Sequence, residues 1–166
     1  TVPAVVNGER LDIYTRALTV GGALRDAGIF VEASDLVSPG EKEWLSSVEI
    51  IEVEQARLVR ILLEPQSVPL EVYTAQLTPR EILIAAGVQP AAQSVVLLHG
   101  QVVPMDEPLK TRGEVVLQYR PPVRLFVILN GVEEMITTTA VDIGTALWEA
   151  GIFLREGDRL SQPVDT

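Results

Sequence analysis

Cysteine is absent from the 166 residues, histidine occurs once, and aromatic side chains make up only 5%. Without Cys the chain can hold no disulfide framework, no thiolate zinc site and no Cys nucleophile. Basic side chains are outnumbered, 13 against 23, and the net charge of −10 argues against a phosphate backbone as partner, because that calls for a basic face. Long apolar runs are missing too, and none approaches the roughly 18 residues that a membrane-spanning helix needs. The opening Thr1-Val2-Pro3-Ala4 lacks the charged start and apolar stretch of a signal peptide. An exported product would therefore have lost its leader, or be a fragment. No Asp-x-Asp-x-Asp-Gly loop suggests calcium, and no Gly-rich loop with Lys opens a helix to cradle phosphate. What is present is apolar: 47% hydrophobic residues exclude a disordered acidic tail.

That apolar content is organised as a repeat. The segment Tyr14-Thr15 through Thr19-Val20-Gly21-Gly22-Ala23-Leu24-Arg25-Asp26-Ala27-Gly28-Ile29 returns as Tyr73-Thr74 through Thr78-Pro79-Arg80-Glu81-Ile82-Leu83-Ile84-Ala85-Ala86-Gly87-Val88. A third version runs from Thr137 through Asp142-Ile143-Gly144-Thr145-Ala146-Leu147-Trp148-Glu149-Ala150-Gly151-Ile152. The period is about sixty residues, which divides the chain into 1–56, 57–121 and a shorter 122–166.

Each copied segment predicts a short helix with both ends marked. Thr19, Thr78 and Asp142 can cap the first free N–H groups, Pro79 suits the first helical position, and Gly28, Gly87 and Gly151 suit the left-handed residue that closes the last turn. Val20, Ala23, Leu24 and Ala27 form one stripe, as do Pro79, Ile82, Leu83 and Ala86, and Ile143, Ala146, Leu147 and Ala150. Two turns of helix do not stand alone in water, so each must lie on something.

The flanking sequence predicts a sheet. The only two Asn residues, Asn7 and Asn130, each precede Gly between apolar runs, the strongest short hairpin signal. Glu64-Pro65-Gln66-Ser67 stands there in the second repeat and calls for another turn type. Leu58–Leu63 and Val123–Leu129, apolar on both faces, read as interior strands. Leu11/Ile13 and Leu70/Val72 alternate with polar neighbours, as half-covered strands do. Asp35–Pro39 reads as a short strand or turn, and Val48–Val53 and Glu114–Tyr119 as closing strands. The second repeat carries an extra hairpin near 95–103 with His99-Gly100 at its tip, and the third stops before its closing strand, leaving an open edge. The fold class is α+β: tandem β-grasp units, each a hairpin, a helix across the sheet and a returning strand. The short joints, Glu54-Gln55-Ala56-Arg57 and Tyr119-Arg120-Pro121-Pro122, lack Gly and suggest an end-to-end rod.

The pattern of Asn-Gly, then Thr, then Thr-Val-Gly-Gly-Ala-Leu-Arg-Asp-Ala-Gly-Ile, then Asp35 to Ser38-Pro39 resembles the G-five-linked ubiquitin-like family. These β-grasp repeats, long catalogued as a domain of unknown function, occur in resuscitation-promoting factors and other exported bacterial cell-wall proteins. The resemblance covers the first unit, the second apart from its insertion, and the third to about Val164. It implies an extracellular, cell-surface or cell-wall location and a spacer or interaction role, with no catalytic residues to carry over. Cell-wall glycan or another wall protein is then the expected partner. Two other readings stand beside it, a carbohydrate-binding module for peptidoglycan or another wall glycan and, third, a fragment of a wall hydrolase.

The residues themselves point away from catalysis, cofactor or metal. His99 has only Asp106 near it in sequence, and reads as a side chain at a loop tip. Glycoside hydrolysis needs two carboxyls about 5 to 9.5 Å apart across a cleft. Glu52/Glu54 read instead as a solvated strand edge, and Glu133/Glu134 as exposed charge after a turn. Trp148 and Ile84 sit about 100° round the helix from the core stripe and mark a contact between units or a ligand surface, the former preferred. Trp44 reads as covering the base of its own sheet. The binding candidates are thus Trp148, Ile84 and His99, and the open edge of the third repeat offers strand exchange or a dimer.

Overall fold

A computed structural model describes residues 1–65 and 68–166. The first sheet is built from β1 (Val2–Val6), β2 (Glu9–Ile13), β3 (Leu36–Ser38) and β4 (Ile51–Glu54), in the order β2-β1-β4-β3. Asn7 and Gly8 turn β1 into β2 with φ of 52° and 84°, the left-handed pair that a two-residue hairpin requires. Helix α1 (Val20–Asp26) crosses this sheet after Thr19, whose hydroxyl accepts from Gly22 N, and closes at Gly28 with φ of 74°. Val20, Ala23 and Leu24 meet Ala4, Ile13, Ile51 and Val53 in a fully buried core. Ala27, at the end of the stripe, is exposed, because the helix has already turned into its cap.

The second sheet repeats the plan with one strand more. Its strands are β5 (Arg57–Leu63), β6 (Pro69–Thr74), β7 (Val95–Leu98), β8 (Gln101–Val103) and β9 (Val115–Arg120), in the order β6-β5-β9-β7-β8. Helix α2 (Pro79–Ala85) is capped by Thr78 and lays Ile82 and Leu83 on Val59, Ile61 and Leu117. In both sheets the first strand pairs in parallel with the closing strand, Ala4 opposite Ile51 and Ile61 opposite Leu117. β7 pairs antiparallel with β9 as β3 does with β4, so β8 alone is the addition to the plan of the first sheet. His99 and Gly100, with φ of 52° and 78°, make the β7–β8 turn. Gln66 and Ser67 of the expected β5–β6 turn lie outside the described residues.

The third sheet holds two strands, β10 (Val123–Leu129) and β11 (Val132–Thr138), followed by α3 (Ile143–Glu149) under an Asp142 cap. Val123–Leu129 is therefore not an interior strand. Among the described residues one edge of β10 is unpaired, and both faces keep apolar side chains in solvent, Phe126 and Ile128 on one and Val123 and Leu129 on the other. Only Ala146, Leu147 and Thr138 are buried there, and Ala150, like Ala27, is exposed. The loop after α3 still follows the first unit closely. Gly144 N donates to Val164 O at 2.9 Å as Gly21 N does to Glu41 O at 2.9 Å, and Ile143 N to Thr166 O as Val20 N does to Glu43 O. The architecture is α+β, small mixed sheets under short helices in a ubiquitin-like β-grasp plan.

Candidate functional site

The side chains singled out in the sequence do not converge. Trp148 is 67% exposed on α3, Ile84 is 47% exposed on α2, and His99 lies exposed at the tip of the β7–β8 hairpin. A contact between units would bury Trp148 and Ile84, and both stand on open surface instead. Trp44 is 59% exposed rather than covering its sheet, and its backbone forms an isolated bridge to Thr19. Asp106, considered beside His99, belongs to Arg80: the two form a bidentate ion pair that holds the loop after β8 against the start of α2, next to the Arg80 N to Met105 O hydrogen bond. That pairing lowers the Asp106 carboxyl below its ordinary range.

The polar groups that do converge lie at the joints. Asn7 accepts from Gln55 N through its Oδ1 and donates from Nδ2 to Gln55 Oε1, each at 2.8 Å. Asp35 uses one carboxylate oxygen to accept from Glu32 N and the other to accept from Ala56 N at 2.7 Å. Both backbone N–H groups of the linker between β4 and β5 are thus held by side chains of the first unit. From the other side Arg112, in the loop before β9, reaches Glu54 at 2.8 Å. Its guanidinium lies 3.2 Å from where a Cβ on Gly8 would sit, so the tight glycine of the first hairpin is also the seat of this arginine. Glu52 and Glu54 are therefore not an edge pair: β4 runs between β1 and β3, and Glu54 is a half-buried partner across the joint.

The second joint matches the first at one position and differs in its chemistry. Glu64 follows β5 as Asn7 follows β1, and its carboxylate takes Nε and Nη2 of Arg120 at 2.6 and 3.2 Å. This raises the Arg120 pKa, the hydrogen bond to Glu64 outweighing partial burial. Beyond it, a groove of about 420 Å³ opens between Glu64, Arg120 and Pro121 on one side and Leu125, Ile143 and Ala146 on the other. In the first two sheets the closing strand delivers Ile51 and Val53, or Leu117 and Tyr119, over the corresponding helix.

Neither Gln55 nor Arg112 was marked by a sequence motif. Asn7 was marked only as a turn residue, since Asn-Gly signals a hairpin and says nothing of what the amide reaches. Among the described residues no group of three or more His, Asp or Glu side chains could hold a metal, and no helix is long and apolar enough to cross a membrane.

The G5-linked-Ubiquitin-like domain matches the chain twice, over residues 3–41 and 125–165. The chain is also 26% identical over 160 residues to "Resuscitation-promoting factor Rpf2" of Corynebacterium glutamicum, covering 96% of this chain and 40% of that protein. It thus spans about two fifths of that relative's length.

Proposed function

Starting from a chain that carries repeats of the G5-linked ubiquitin-like family, we propose that it is a non-catalytic spacer and interaction segment of an exported, cell-wall-associated protein. Its working divisions are 1–56, 57–121 and 122–166, arranged as a rod. The observation that carries this reading is the joint between the first two units. A passive linker leaves its backbone to water, whereas here Gln55 N and Ala56 N are both bound by side chains of the first unit, and Glu54 is bridged to Arg112 of the second. Polar surface invested in fixing orientation suits a part whose task is to hold something else at a distance. Similarity to a resuscitation-promoting factor supports placing that task at the wall.

A second reading is favoured by a specific observation: Trp148 and Phe153 are 67% and 66% exposed around the end of α3, and exposed aromatic faces are what glycans stack on. Co-sedimentation of the chain with purified cell wall, together with measurement of soluble wall fragments released, tests both readings. The spacer reading expects no fragments and retention indifferent to Trp148→Ala. Retention lost in Trp148→Ala replaces it with glycan recognition, and release of fragments overturns the non-catalytic reading.

A further inference from the structure

Arg57 opens β5 and is 8% exposed, the deepest-lying charge of the chain among the described residues. Its Nε and Nη2 are both buried and have no hydrogen-bond partner. Leaving guanidinium donors unmet in a buried position costs more than leaving a neutral group so, because the charge has lost its water as well. The two orphaned atoms are not arbitrary: Nε and Nη2 form one edge of the guanidinium, spaced to make two parallel hydrogen bonds to one carboxylate or phosphate. This protein uses that edge twice elsewhere. Arg120 grips Glu64 with it and Arg80 grips Asp106 with it. On Arg57 the same edge has no acid to hold.

The surroundings favour a negative group from outside. Arg57 lines a cleft of about 190 Å³ at the first joint, together with Asn7, Glu54, Gln55, Arg112 and Gly113. Liquid water occupies about 30 Å³ per molecule, so the space suits one acetate- or phosphate-sized ion with a few waters. Of the three ionised groups Glu54, Arg57 and Arg112, two are positive, and the one carboxylate is already engaged by Arg112 Nη1 at 2.8 Å. The Arg57 pKa is lowered, first by burial and then by Arg112, with Glu54 opposing, so the site destabilises its own cation.

We propose that the cleft at the joint of the first two units is an oxyanion site, in which the Nε/Nη2 edge of Arg57 takes a carboxylate or phosphate group and Arg112 supplies the second positive charge. The half-exposed Arg112 side chain moves aside to admit the anion and then closes on it. Binding fastens the joint, since it ties a β5 residue to a loop that already reaches Glu54 and Gly8. This inference does not depend on the spacer reading, because anion binding at Arg57 is measurable whatever the chain does at a wall.

The test uses the whole chain, titrated with sodium acetate and separately with sodium phosphate against sodium chloride at matched ionic strength. It is followed by calorimetry, by the thermal midpoint and by the Nε–H resonance of Arg57. Saturable heat, a rising midpoint and a saturable shift of that resonance are expected, since a ligand of the folded state stabilises it by mass action. Response to acetate alone identifies a carboxylate site, and a stronger response to phosphate identifies a phosphate site. Arg57→Met, which keeps the apolar stem, abolishes the response. Arg57→Lys, which keeps the charge without the fork, weakens it on the order of tenfold. Glu54→Gln strengthens it by removing the competing carboxylate. An Arg57 resonance indifferent to both anions, or an unchanged response in Arg57→Met, overturns the proposal. The wild-type resonance decides the matter even if the Met variant fails to fold.

Discussion

Asn7 and Gln55, 48 residues apart in sequence, are joined by two hydrogen bonds of 2.8 Å that run in opposite directions. One asparagine thereby performs two tasks. Its backbone, at φ of 52°, turns the first hairpin, and its amide fixes the start of the linker to the next unit. Substitutions separate the two. Asn7→Gly keeps the turn and loses the amide, at an expected cost of about 1–2 kcal/mol for two partly exposed hydrogen bonds. Asn7→Ala loses the amide and also strains a left-handed backbone, adding about 1 kcal/mol. Urea unfolding of both variants against the unaltered chain checks the order, and an Asn7→Gly variant as stable as the unaltered chain would show that the amide contributes nothing.

The ion pair between Arg80 and Asp106 predicts a pH dependence of definite sign. The Asp106 carboxyl is lowered in the folded protein, chiefly by the hydrogen bond from Arg80. Its contribution is therefore present above the unfolded aspartate value of about 3.9 and fades as pH falls through the folded value. Carboxyl carbon NMR should place the Asp106 titration below that of an isolated aspartate, and Arg80→Gln should return it. An unshifted Asp106 would mean that the pair is not populated in solution.

Two apolar positions on different helices should differ sharply in what they contribute. Leu83 is fully buried against the second sheet, and Leu83→Ala should cost about 2–5 kcal/mol. Trp148 is larger but stands in solvent, so Trp148→Ala should change stability by no more than about 0.5 kcal/mol. Thermal or urea unfolding distinguishes them, and a large loss in Trp148→Ala would show that the indole is covered in solution.

Among the described residues one edge of β10 is unpaired, and Phe126 and Ile128 are exposed on that strand, which predicts self-association of this chain through strand pairing. Sedimentation should show a mass that rises with concentration, and Ile128→Lys, a charge on the edge strand, should hold the chain monomeric. A monomer at every concentration contradicts this.

How far the sequence announced this architecture depends on range. The three helices, their caps and their closing glycines were legible because capping is local: Thr19, Thr78 and Asp142 each satisfy an N–H three residues on. The Asn-Gly turns were legible for the same reason. Val123–Leu129 misled, because its apolar content describes a strand between two neighbours whereas β10 has one among the described residues. Glu54 misled too. Alternation along β4 places it on a face, but only the loop before β9, 58 residues away, shows that Arg112 meets it there. The joint cluster was invisible because its members carry no shared spacing, and the orphaned edge of Arg57 is a property of packing alone.

The proposed spacer role requires a fixed separation of two units across the first joint, and the absence of cysteine makes that separation directly measurable. Arg25→Cys on α1 and Ile84→Cys on α2, both exposed positions, admit two spin labels with no competing thiol. Electron–electron distance measurement should give a single narrow distribution, and adding Asn7→Gly and Glu54→Ala should broaden it. A broad distribution in the otherwise unaltered chain, unchanged by those two substitutions, would contradict the claim that this segment is a spacer with a fixed joint.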